Sequence, residues 1–123
     1  MKIRVRTLRI GAREFRWTAE ACGYYDVASD YHRCVRVRVW GGGKNACRLR
    51  ADLESTDPGP WAGVPDSSYP TPRAVRAIVD YALVNGWDPA ATGGWHELGT
   101  DAAVEVPGFR ITDRLSGMQH LRY

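Results

Sequence analysis

The 123-residue chain is 44% hydrophobic and 25% charged, proportions that suit one globular domain, 1–123, and exclude a disordered tail, a coiled coil and a small disulfide scaffold. No apolar run approaches the ~20 residues that span a bilayer, so no membrane partner is expected. The net charge of +3 conceals an asymmetry: residues 1–50 hold twelve Lys/Arg against four Asp/Glu, residues 51–123 only five against ten.

Residues 2–10 alternate and predict a strand, with Ile3 and Val5 on one face and Arg4 and Arg6 on the other. Leu8 and Ile10 shift the phase near Thr7, as a bulge would. Residues 13–19 alternate again, Phe15 and Trp17 against Glu14, Arg16 and Thr18. The polar and aromatic stretch from Cys22 to Tyr31 reads as a loop. Residues 33–40 are the clearest strand: Val35, Val37 and Val39 share one face, and Cys34, Arg36, Arg38 and Trp40 the other. A glycine-rich turn follows at 41–45. Residues 46–53 return with Cys47, Leu49, Ala51 and Leu53 opposite Arg48, Arg50 and Asp52. Paired residues of a hairpin share a face, so the valines must oppose Cys47, Leu49 and Ala51, which demands a loop of odd length. The same parity sends Cys34 and Cys47 to opposite faces, where they cannot bond.

Residues 55–71 form a long loop without periodicity, with Trp61 and Tyr69 as natural anchors. Thr71 and Pro72 open the single predicted helix, about 72–85, as N-cap and first helical residue. Val75, Ile78, Val79 and Ala82 give its buried stripe. Gly86 ends it, with Trp87 as the following hydrophobic contact. Two or three short strands complete the chain. Val106-Pro107-Gly108-Phe109 reads as the type II turn of a hairpin, with Val104, Val106, Phe109 and Ile111 lining one face. The expected fold is α+β: a mainly antiparallel sheet of six or seven short strands, four before and two or three after the helix, packed against that helix.

If the first four strands share a core side, the opposite face gathers Arg4, Arg6, Arg16, Arg36, Arg38, Arg48 and Arg50 with Trp40. Arginine presents a planar fork for carboxylates and phosphates. The leading expectation is a non-enzymatic binding module, accessory or immunity-like, that meets an acidic protein surface or self-associates through this face. A nucleic-acid-binding domain is the alternative, although no aromatic RNA-binding motif is present. A small enzyme with the 55–71 loop as a lid, and Trp61, Asp66 and Tyr69 as its candidates, is the third.

Catalytic and metal motifs are sparse. His96-Glu97 lacks the second histidine of HExxH, and 41–44 joins two strands rather than a strand and a helix, so it is a turn and no phosphate loop. His32 and Cys34 share a strand face about 7 Å apart, loose for a base and nucleophile. His32-x-Cys34 is too closely spaced for a structural zinc site, and no metal or cofactor is expected. Three cysteines without a close pair argue for free thiols. MKIRVRTLRIG has no uninterrupted apolar region, so no cleaved signal peptide is expected and the cytoplasm is the expected compartment.

The wording VRVWGGGKN followed by PWAGVPDSSYPTPRAVRAIVDYALVNGWDP resembles a family of small proteins from high-GC Gram-positive bacteria. The resemblance runs from Arg36 to Pro89 and implies no activity, cofactor or site residue. The charged sheet with one helix is also similar in general build to toxin-immunity and other small accessory proteins, an analogy of fold alone.

Overall fold

The computed structural model describes residues 4–25, 27–43, 45–55, 69–112 and 121–122. Within them the chain forms β1 (Arg6–Ile10), β2 (Arg13–Tyr25), β3 (Tyr31–Trp40), β4 (Arg48–Ser55), α1 (Pro72–Val84), β5 (Trp95–Leu98), β6 (Phe109–Ile111) and β7 (Leu121–Arg122). All strands belong to one sheet with the path β1-β2-β3-β4-β5. The long strands β2 and β4 each carry two short neighbours end to end on their outer edge. For β2 these are β1 and β7, and for β4 they are β5 and β6. Every pairing is antiparallel except β4–β5. Only that pair is joined through the helix, which is the crossover a parallel pair requires. The fold is thus the α+β class expected from the sequence.

The helix starts and stops where its chemistry dictates. The Thr71 hydroxyl accepts the Ala74 N–H at 3.2 Å, and Pro72 takes the first turn. At the other end Gly86 adopts φ +107°, and the Trp87 N–H closes onto the Ala82 carbonyl at 2.9 Å. The stripe Ala74, Val75, Ile78, Val79 and Ala82 is buried against Phe15, Trp17, Val35, Val37, Val39, Leu49, Ala51 and Leu53 of the sheet. Each fully buried Val, Leu or Ile contributes about 1.5–3 kcal/mol of transfer free energy. Trp87 tilts against Phe15, ring centres 5.8 Å apart, and donates its indole N–H to the Cys47 carbonyl at 3.1 Å.

Four expectations are corrected. The stretch from Cys22 to Tyr31 is not a loop: β2 runs to Tyr25 and β3 begins at Tyr31, and Ser29 in the short connection takes φ +66°. Its aromatic residues pair across the hairpin, and a side chain at Gly23 would have to push the Tyr31 ring aside. The β3–β4 parity is as expected, but the register is not. Val39, Val37 and Val35 oppose Leu49, Ala51 and Leu53, with a seven-residue connection over 41–47. Residues 46 and 47 are drawn away from β3, because Ala46 bridges to Thr92 and the Cys47 N–H bonds the Ala91 carbonyl at 2.7 Å. The first strand begins at Arg6, so Arg6, Leu8 and Ile10 are in phase without a bulge near Thr7. Finally, the type II turn at Val106–Phe109 forms, with Gly108 at φ +80°, but the strand after it pairs with β4 rather than building a hairpin of its own.

Candidate functional site

α1 covers one face of the sheet, and strand alternation sends the remaining side chains to the other. Register sets them in transverse rows. Thr7 opposes Arg16, Arg16 opposes Trp40, and Arg48 opposes Trp95. The step after the Val39–Leu49 pair sets Trp40 beside Arg48. The first row therefore reads Thr7, Arg16, Trp40, Arg48, Trp95 across five strands. The second holds Thr18, Arg38, Arg50 and Glu97, and the third Glu20, Arg36 and Asp52. Beyond them lie Cys22 with Cys34, then Tyr24 with His32.

The second and third rows carry ion pairs. Arg36 donates from Nε and Nη2 to the two Asp52 oxygens at 2.7 and 3.0 Å, with both side chains buried. The bond to Asp52 raises the guanidinium pKa further, against the opposing effect of burial. Arg38 lies 3.8 Å from Glu20, and Arg50 pairs with Glu97. Glu54 gathers the Tyr24 hydroxyl at 3.2 Å, two Arg110 nitrogens at 3.2 and 3.3 Å, and the His32 ring at 3.6 Å. The first row contains no carboxylate. Arg48 sits 5.5 Å from the centre of the Trp95 ring, and Arg50 of the second row reaches the same ring at 5.4 Å. Trp95 is 42% exposed, and a small cleft of about 260 Å³ opens beside it, lined by Asn45, Arg48, Thr92, Gly93 and Gly94.

The eight residues of the expected arginine face thus divide. Arg16, Trp40 and Arg48 come together in the first row. Arg36, Arg38 and Arg50 share the face but are matched by carboxylates. Arg6 is on the helix side, opposite Trp17 and 5.6 Å from its ring centre, because the strand phase differs from the expected one. Arg4 precedes β1 and is exposed. Trp95 and Glu97 belong to the face and were missed. They reach it through the parallel β4–β5 pairing, which no local pattern announces. Of the loop candidates, Tyr69 is half exposed and packs under Arg33 at 4.7 Å. Trp61 and Asp66 lie outside the described residues.

His32 and Cys34 do share the far face. Cys34, however, is fully buried, and burial, then the charge of Glu54, push its thiol up to about 12. That is the opposite of an activated nucleophile. Among the described residues no three His, Cys, Asp or Glu side chains converge as a metal would need, and no helix is long and apolar enough to cross a membrane. A second concavity of about 750 Å³ lies on the helix side between Arg73, Ala77, Val104, Phe109 and Arg110, and its described lining holds no Cys, His or Ser. No family model, curated protein or solved structure matches the chain.

Proposed function

We propose that this protein is a non-enzymatic binding module that engages an acidic protein partner on the row Arg16, Trp40, Arg48 and Trp95. The supporting observation is that Arg16, Trp40, Arg48 and Trp95 follow one another across four strands, alternating cation and aromatic, with Arg16 exposed and Trp95 42% exposed. Arginine and tryptophan are the residues on which interface energy concentrates. Tryptophan supplies apolar area and arginine a fork for a partner carboxylate. Glu14 and Glu97 flank the row, and Glu20 lies one row further. An extended phosphate backbone would meet these charges, whereas a protein surface of mixed charge accommodates them.

The test compares two polyanions by tryptophan fluorescence at about 150 mM salt, the physiological ionic strength. A glutamate-rich peptide is expected to bind, and Arg16→Glu with Arg48→Glu to weaken it at least tenfold. A random single-stranded oligonucleotide is expected not to be retained. Micromolar oligonucleotide binding, lost in the same double variant and falling with log salt by about 0.7 per phosphate, would transfer the site to nucleic acid. Binding of the peptide unaltered by the double variant would remove the row from the account.

A further inference from the structure

Cys22 and Cys34 are direct partners in the β2–β3 ladder, on the face away from the helix. Their residues are 1% and 0% exposed and form, with Tyr24, a cluster separate from the main core. Both are free thiols. Directly opposed residues of an antiparallel pair have Cα atoms about 4.5 or 5.5 Å apart, depending on the rung. Both separations fall within the roughly 4.4–6.8 Å that a disulfide bridges. Opposed residues hold their Cβ atoms about 4.5–5.5 Å apart against about 3.5–4.5 Å in a disulfide, so the two sulfurs join with a small local closing of the rung. Cys47 packs against the main core on the helix side and is excluded from the pairing.

We propose that Cys22 and Cys34 are a redox-modification site that closes to a cross-strand disulfide by exchange with a small-molecule disulfide of the glutathione type. One cysteine thiolate attacks a sulfur of the oxidant and releases the first small thiol. The other cysteine gives up its proton, attacks the resulting mixed disulfide and releases the second small thiol. The protein loses two electrons and two protons, and the small disulfide becomes two thiols. Burial sets the rate. Each thiol must be exposed before it ionises, so exchange proceeds through opening of the β2–β3 tip, the paired residues 22–25 and 31–34. The bond would then staple that tip. It lies three rungs along the same face from the Arg16–Trp40 pair, so modification and partner binding are separate properties.

The test is peptide mapping of the whole protein after incubation with oxidised glutathione, in buffer and in urea below the unfolding midpoint. Free thiols are alkylated and the protein is digested with trypsin without reduction. Cleavage at Arg16, Arg33, Arg36, Lys44 and Arg48 places the three cysteines on separate peptides, 17–33, 34–36 and 45–48. The expected product joins 17–33 to 34–36 with the loss of two hydrogens, and it forms faster in urea. The oxidised protein should unfold at a higher urea midpoint than the reduced one. Cys22→Ser should remove the joined peptide and Cys47→Ser should leave it. Peptides 17–33 and 34–36 recovered separately under both conditions, or either joined to 45–48, would overturn the proposal. The wild-type map decides this even if a variant fails to fold.

Discussion

Arg36 and Asp52 form a buried, two-bonded ion pair with side chains only 10% and 8% exposed. Such a pair is costly to break and cheap to replace, because most of its energy goes into offsetting desolvation. Asp52→Ala strands the guanidinium and should cost about 3–5 kcal/mol, read from urea unfolding. Replacing both residues by apolar ones of similar volume should recover most of that loss; a double variant as unstable as the single one would contradict this account. Cys34 makes a second prediction. Its folded thiol holds its proton up to about 12, whereas the unfolded chain releases it near the ordinary 9.0. Between those values the unfolded state binds fewer protons, so stability falls as pH rises. The expected slope approaches 1.4 kcal/mol per pH unit, with no contribution from this thiol well below pH 9. Urea midpoints at about pH 8 and about pH 10 should diverge, and Cys34→Ala should narrow the gap.

At the scale of elements, α1 depends on its ends as much as on its buried stripe. Thr71→Ala removes the acceptor for the Ala74 N–H and should cost about 1 kcal/mol in thermal or urea unfolding, with the helical circular dichroism otherwise intact. A loss below a few tenths of a kcal/mol would mean that water satisfies that donor equally well. β5 is the element on which the candidate site turns. Four residues long, it owes its place to the Arg48–Trp95 to Ala51–Leu98 pairing and to the turn before it, where Ala91 and Gly94 carbonyls accept from Cys47 and Arg48. Gly93 and Gly94 both adopt left-handed φ, +70° and +77°. Gly94→Val should therefore displace Trp95 and weaken partner binding while leaving the α1 core in place.

Among the described residues, Arg16 and Arg48 of the first row face away from α1, while Asp80, Asp101 and Glu105 lie on the helix side near Arg73 and Arg76. Ala103, within that acidic segment, donates to the Tyr81 hydroxyl at 3.1 Å. Contact between the basic row of one copy and the acidic side of another would be head-to-tail, and a contact of that kind builds open chains rather than a closed dimer. The proposed partner is accordingly a different protein. Sedimentation at low salt should give a single species whose size does not grow with concentration. Growth that is reversed by salt and by Arg48→Glu would make a second copy the partner instead.

The sequence by itself determined what depends on neighbouring residues. The helix at 72–85 was legible because Thr71, Pro72, Gly86 and a 3.6-residue apolar stripe are local signals. The valine face of residues 33–40 and the odd parity of the hairpin followed from a period of two. The class of fold followed from one helix among several strands. Tertiary structure alone decided the rest, because each remaining feature needs two distant segments at once. Ala46 and Cys47 pair with the 91–92 turn, and this moved the hairpin register by two residues. The crossover through α1 brought Trp95 and Glu97 beside Arg48 and Arg50, so that Arg50 meets a carboxylate and Arg48 an aromatic ring. Cys22 and Cys34, eleven residues of chain between them, became direct partners only when the segment that read as a loop folded as a tight hairpin. Alternation reveals which face a side chain takes, and only the register between strands reveals its neighbours.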